Sequence, residues 1–296
     1  YTVDEEKLPE GFSTFNLVVK GLTGGHSGDD INKKRANANK LLVRFLLEQS
    51  EKTDLRLCDI QAGGLHNAIP REAHATVAVP TTYVATFGEE LQAFVEKVRD
   101  EFSATEPELM AVIEPVAAAP TCICKEQAER LLKSLSVVHN GIFAMSQDLE
   151  GLVETSSNLA SVRKHGNQIV ATTSQRSSVA SNLEYMASVV RSAFELGGAK
   201  CVTNEGYPGW KMNPKSEILK VCVDSYKRLF GKEPLVRAIH AGLECGLFSE
   251  KYPHLDMVSF GPTLRGVHSP DERLLIPTVQ MVWDHLLDVL KNVPEK

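Results

Sequence analysis

The sequence predicts an α+β domain built on antiparallel sheet, followed by a shorter α/β region. Three observations carry this. The order strand, helix, strand, strand, helix, strand runs from Phe15 to Val116, and part of it recurs before Asn204. Composition shifts at Glu205-Gly206-Tyr207-Pro208-Gly209-Trp210, which marks a boundary. Beyond it, strand, helix and glycine loop alternate as in a parallel sheet, where sites sit in loops at the carboxyl ends of strands.

Phe15 to Leu22 is the first strand candidate, a near-continuous apolar run broken only by Asn16 and Lys20. Gly24-Gly25-His26-Ser27-Gly28-Asp29-Asp30 follows, and its glycines admit backbone conformations closed to other residues. Asp29 or Asp30 is expected to cap a helix running from Ile31, with Leu41, Leu42, Phe45 and Leu46 as its apolar stripe. Lys33, Lys34, Arg35 and Lys40 read as solvated positions. Leu55 to Ile60 and the alternating Ala73 to Val79 are strands on either side of the turn Gly63 to Glu72. Phe87 to Phe102 is an amphipathic helix and Met110 to Val116 a strand.

The second run begins with a helix from Glu126 to Val138. Val153 to Arg163 and Gln168 to Arg176 are strands joined at Lys164-His165-Gly166-Asn167, a hairpin signal. Ala180 to Leu196 is a helix stopped by Gly197-Gly198, and Lys200 to Asn204 begins a strand. Past the boundary come a helix from Ser216 to Phe230, strands at Leu235 to Ile239 and Asp256 to Phe260, and a closing helix from Ile276 to Val293.

A chain of 296 residues accommodates two ordinary domains. Its net charge of −6 argues against nucleic acid as the main partner. No apolar run approaches the roughly 18 residues that would span a bilayer. The six cysteines include no Cys-x-x-Cys pair, so a reduced, cytoplasmic setting is expected. Tyr1 to Gly11 is charged, without a core pattern of its own, and reads as the tail of an earlier segment.

No His-Glu-x-x-His pair, nucleophile elbow, Walker loop or dinucleotide fingerprint occurs. Of the nine histidines, His26, His240 and His268 stand out because each lies in or beside a glycine loop after a strand. His74 within a strand, His285 within a helix and His165 in a hairpin read as packed or exposed fillers. His268 is the best metal-ligand candidate, with Asp271 or Glu272 near enough in sequence to orient its ring. Glu244 is a second candidate carboxylate. Arg176 ends an alternating strand, where a guanidinium would clamp a carboxylate and an ordinary surface arginine would give the same pattern. These residues do not by themselves complete a zinc site.

Taken together, the motifs resemble the cytosolic aminoacylhistidine dipeptidases (Xaa-His dipeptidases, peptidase D or carnosinase-like) of the di-zinc aminopeptidase and deacylase superfamily. The stretches that carry the resemblance are Gly21 to Gly28, Arg35-Ala36-Asn37-Ala38-Asn39-Lys40, Asn67 to Glu72, Tyr207 to Trp210, Ile239 to Gly246, and Gly261-Pro262 through His268 to Glu272. They run in order along nearly the whole chain. The resemblance implies a tail of a preceding catalytic segment at residues 1–12, a lid or dimerisation-type domain at 13–203, and the C-terminal part of an α/β zinc-peptidase catalytic domain at 204–296. It implies hydrolysis of small dipeptides, of the Xaa-His kind, by zinc-activated water, with two zinc ions in the complete enzyme and a homodimer compatible with the lid. His26 and Asn67 would support the developing oxyanion. Arg176 would bind the substrate carboxylate, with Gly242, His240 and Glu244 beside the substrate and His268 on zinc. The family's remaining metal ligands and its glutamate base have no match in this chain. Met212 stands where the family usually has proline. An imidazolium at His26 would make activity fall at high pH. A related zinc amidase or deacylase, and a non-catalytic dimerisation or binding module, are the competing readings.

Overall fold

The computed structural model describes residues 1–147, 149–204, 206, 209–210, 213, 215–237, 244–265 and 272–294. They divide into two compact units, Tyr1–Asn204 and Glu205–Lys296.

In chain order the first unit contains β1 (Glu5–Lys7), β2 (Phe12–Lys20), β3 (Gly25–His26), α1 (Ala38–Ser50), β4 (Arg56–Gly63), β5 (Ala68–Ile69), β6 (Ala73–Pro80), α2 (Val84–Glu101), β7 (Met110–Pro115), β8 (Thr121–Ile123), α3 (Lys125–Val137), β9 (Gly141–Met145), β10 (Val153–His165), β11 (Gln168–Ser177) and α4 (Ala180–Leu196). One antiparallel sheet runs β11-β10-β4-β6-β2-β7, with β9 added to β10. Its first half, β2-α1-β4-β6-α2-β7, is a double split βαβ. β8-α3-β10-β11-α4 follows as a second, partial copy of that plan. The two halves become one sheet because β10 pairs along the outer edge of β4, Ser161 opposite Gly63. An edge strand left open is a pairing hazard, and here the same chain closes it.

Alternation along the strands decides which face the helices cover. Phe15, Leu17 and Val19 of β2, Leu57 and Ile60 of β4, and Ala75, Val77 and Val79 of β6 join one core with Leu42, Phe45 and Leu46 of α1. Phe45 is the hinge of this packing. It is 1% exposed, with ring centroids 5.4 Å from Phe87 and 5.2 Å from Phe94. That brings α1 and α2 onto the sheet around one aromatic cluster.

The structure changes several expectations. The helix does not begin at Ile31. Residues Ile31–Lys33 form a single 3-10 turn, and α1 starts at Ala38. Its cap is Asn37, whose side-chain oxygen accepts from the Asn39 and Lys40 amides at 3.0 and 3.3 Å. Arg35 and Lys40 are not simply solvated. Lys40 Nζ donates to the carbonyls of Leu135, Ser136 and Val138 at 2.9, 2.6 and 2.9 Å, closing the C-terminal end of α3. Burial pushes this ammonium down to about 8, while the three carbonyls at the negative end of the helix favour its proton. Tyr1 to Gly11 also has a core pattern after all. Val3 and Leu8 are buried, and β1 pairs with β8.

The second unit contains α5 (Glu217–Phe230), α6 (Glu244–Lys251), β12 (Leu264–Arg265), β13 (Arg273–Leu274) and α7 (Pro277–Asn292). Ser216 caps α5 by accepting from the Leu219 amide at 3.1 Å, and Gly231 ends it at φ 63°. His285 of α7 is packed, as expected, with Nε2 2.8 Å from the Cys222 carbonyl. The expected strands at 200–204, 235–237 and 256–260 are not strands, and positions 238 and 239 lie outside the described residues. A strand persists only with a neighbour to share its hydrogen bonds. Among the described residues, β12 and β13 pair with each other, whereas 200–204 at the end of the first unit and 235–237 and 256–260 in the second pair with no strand.

Because Phe45 fills the junction of α1, α2 and the sheet, Phe45→Ala should cost about 3–5 kcal/mol of stability. The check is a fall in the urea midpoint at unchanged m-value.

Candidate functional site

The site in the first unit is built around a backbone that only glycine permits. Gly25 sits at φ +137°, and a Cβ there would stand 2.2 Å from Arg35 Nη1 and 2.4 Å from Asp30 Oδ2. The open space beside Gly25 is thus filled by an ion pair. Arg35 lies 3.3 Å from Asp30 and donates to the Gly24 carbonyl. Asp30 Oδ2 in turn accepts from the His26 backbone amide at 2.8 Å. Asp30 therefore does not cap a helix; its carboxylate turns back onto the loop. Burial opposes its ionisation, but hydrogen bonds from Lys33 and from the His26 amide, with the charges of Arg35 and Lys33, hold the carboxyl below its ordinary value.

The His26 ring is fixed from the other side. Its Nδ1 accepts from the amides of Gly28 and Asp29 at 3.2 and 3.1 Å. An atom accepting two N–H groups carries no proton of its own, so these contacts hold the neutral ring with its proton on Nε2. An imidazolium would set Nδ1–H against two amide hydrogens. In this arrangement the ring can present Nε2–H as a donor without being an imidazolium.

The segment carrying His26 is tied to the one carrying Asn67. β3 and β5 form a two-stranded ribbon with His26 opposite Ala68, and the Ser27 amide donates to the Asn67 carbonyl at 2.8 Å. The ribbon is held on the main sheet by Asn158 of β10, whose Nδ2 donates to the Ala68 carbonyl at 2.8 Å, and by an apolar contact among Ile31, Ile69 and Val153.

Arg176 reaches the same region by register. It sits on β11 opposite Ser156 of β10, two residues from Asn158. Burial draws its guanidinium below the ordinary arginine value, and the charge of Asp29, next to the amides that fix His26, opposes that shift. Its Nε is buried without a partner among the described residues. A buried guanidinium nitrogen with nothing to donate to is costly and suits an incoming carboxylate.

The structure thus brings His26, Asn67 and Arg176 into one neighbourhood of the first unit. Glu244 is exposed at the first position of α6 in the second unit. His240, Gly242 and His268 lie outside the described residues. Among the described residues no group of three or more His, Cys, Asp or Glu stands together as a metal site, so the described side chains do not assemble a zinc centre. No helix among them is long and apolar enough to cross a membrane. Sequence reading missed Asp30, Arg35 and Asn158 as parts of the site. The motif Arg35 to Lys40 was the available signal for the second of these.

Residues 10–109 match the family model of the peptidase dimerisation domain. The chain is 40% identical over 294 residues to a cytosol non-specific dipeptidase of Escherichia coli (strain K12), covering 99% of this chain and 61% of that protein. The crystal structure of an aminoacylhistidine dipeptidase from Vibrio alginolyticus superposes with a TM-score of 0.89 at 40% identity, over 100% of this chain and 60% of that one. The chain therefore spans about three fifths of the length of these relatives.

The loop should keep its form through neutral pH. A carboxylate held below its ordinary value stabilises the folded form above its unfolded pKa, and that contribution is lost as pH falls through the lower folded pKa. Asp30 should therefore release the His26 amide only below about pH 4. Asp30→Asn should bring forward hydrogen exchange of the His26 and Asp29 amides at pH 6–7, read by NMR.

Proposed function

We propose that this chain, a relative of the aminoacylhistidine dipeptidases along its whole length, is part of a metallodipeptidase that hydrolyses the peptide bond of small dipeptides, Xaa-His among them. The observation that carries this is 40% identity to a cytosol non-specific dipeptidase extending over 99% of the chain. The geometry around His26 gives the reading its chemistry.

In this proposal residues 13–203 form the lid and residues 204–296 the C-terminal part of the catalytic domain. His26, neutral and protonated on Nε2, donates to the carbonyl oxygen as negative charge builds on it, with Asn67 as the second polar group. No proton has to leave His26 for this, so it acts as a fixed donor and not as a base. Arg176 takes the free carboxylate of the dipeptide, satisfying its unpartnered Nε. Glu244, His240 and Gly242 are assigned to substrate binding and His268 to zinc, by their motifs alone. Two zinc ions, when bound, supply activated water and polarise the carbonyl. The proposed setting is the cytoplasm. A homodimer is supported by the match to a peptidase dimerisation domain.

The Arg176 assignment separates a dipeptidase from a deacylase on the same scaffold. Arg176→Met should raise KM for a free dipeptide by roughly 10- to 100-fold, the value of a lost charged hydrogen bond. The same change should leave hydrolysis of a C-terminally amidated dipeptide close to its starting value. Equal losses on both substrates would remove the carboxylate from the reading. Activity on acylated amines but not on free dipeptides would favour the zinc amidase or deacylase alternative, and binding without turnover a dimerisation or binding module.

A further inference from the structure

We propose that Glu106 is a positioning residue for His26, an inference that rests on the hydrolytic role given to His26 above. Glu106 follows α2 on a different part of the chain and is 1% exposed. Its two carboxylate oxygens are both used, and both on the same loop. Oε2 accepts from the Thr23 amide at 2.6 Å and Oε1 from the Ala36 amide at 2.9 Å. Thr23 and Ala36 bracket the segment 24–35 that carries His26, Asp30 and Arg35. One buried side chain thus fixes both ends of the catalytic loop.

Thr105 strengthens the same clamp. Its carbonyl accepts from Thr23 Oγ1 at 2.8 Å, and its own hydroxyl donates to the Lys34 carbonyl at 3.2 Å. The approach depends on Gly21, at φ +77°, where a Cβ would meet the Glu108 carbonyl oxygen at 2.0 Å. From Ala36 the restraint passes inward. Arg35 is the adjacent residue, its guanidinium holds Gly24 and Asp30, and Asp30 holds the His26 amide. Turning the ring requires this sequence of contacts to move.

The chemistry explains why a carboxylate stands here. Two backbone N–H donors converge on one side chain, so it must present two acceptors and no donor. Glutamine has the same shape but one acceptor and one amide donor, which would face Thr23 or Ala36 donor to donor. Glu106→Gln therefore releases one end of the loop while leaving side-chain volume unchanged.

The test uses the full chain labelled with 15N-histidine, alongside kinetics of the complete enzyme. In the unmodified protein the His26 ring should report an unprotonated Nδ1 and a protonated Nε2. Glu106→Gln should move both signals toward a mixture of the two tautomers and shift the Gly28 and Asp29 amides. It should lower kcat roughly 10- to 100-fold with KM changed much less, as displacement of a catalytic group does. Glu106→Asp, which keeps two acceptors, should recover more activity than Gln. Should Glu106→Gln not fold, Thr105→Val, which removes the hydroxyl's bonds to the Lys34 and Phe102 carbonyls and leaves Glu106 in place, should show the same tautomer shift in weaker form. A folded Glu106→Gln protein with unchanged ring and amide signals would overturn the proposal. A tautomer shift in Glu106→Gln, combined with full dipeptidase activity in His26→Ala, would leave Glu106 as the residue that positions the ring and remove the catalytic role of His26 instead.

Discussion

Asn37 makes the contacts on which the first unit turns. Its Oδ1 caps α1, and its Nδ2 lies 2.9 Å from Asn140 Oδ1, 3.3 Å from Asn158 Oδ1 and 3.1 Å from the Leu159 carbonyl. One buried amide thus starts the helix of the first half and binds it to the strand of the second. Its neighbours extend the joint. Asn39 Nδ2 reaches the same Leu159 carbonyl at 3.0 Å, and Lys40 closes the end of α3. Alanine at 36 and 38 keeps this junction close-packed, since both are buried. A polar seam in a core is acceptable only when its members are satisfied. Here Asn39 Oδ1 is the unpaired atom, and the remaining amide groups of the seam serve as its fasteners.

This joint has a consequence for the site. Asn158 lies in the seam and holds the β3–β5 ribbon through the Ala68 carbonyl. Arg176 is on the strand next to Asn158, His26 is on the ribbon and Asn67 directly precedes the ribbon's second strand. The candidate oxyanion donors come from the first half of the unit and the candidate carboxylate clamp from the second. Their spacing is therefore set by the β4–β10 seam, not by a flexible connection. The local break in register between Leu159 and Ser161 lies where the strand leaves its contact with Asn37 and begins to pair with β4. Bulges re-aim side chains at such positions.

Much of this was legible in the sequence. Apolar alternation and helical spacing placed β2, β4, β6, β7, β10, β11, α2, α3 and α4 to within a few residues, because burial on one face writes a period into the chain, whereas the short strands β3, β5, β8 and β9 left no such period. The glycine loop and His26, Asn67 and Arg176 were legible as motifs. The asparagines were not legible as a seam, because a residue whose partners lie more than a hundred positions away leaves no local pattern. Glu106 reads as one of two charges in Glu106-Pro107-Glu108, and its burial is visible only in three dimensions. The start of α1 was misplaced because charges at 33–35 look like the exposed face of a helix, whereas Arg35 is committed to Asp30 and Gly24. The strands expected in the second unit were misread from apolar runs alone, since such runs report burial without naming a pairing partner.

The protonation state of His26 follows from the same local geometry as its position. The residues that make the turn, Gly28 and Asp29, aim their amides at Nδ1 because glycines at 24 and 25 let the chain double back within a few residues. The fold thereby favours one tautomer through two backbone amides on Nδ1. The Asp30 carboxylate is taken by the His26 backbone amide, Lys33 and Arg35. A carboxylate on the ring would favour the imidazolium instead. Backbone amides on Nδ1 favour the tautomer with its proton on Nε2, which presents that N–H as a donor. A loop built this way suits a site whose donor must be oriented in advance and must not itself become the base.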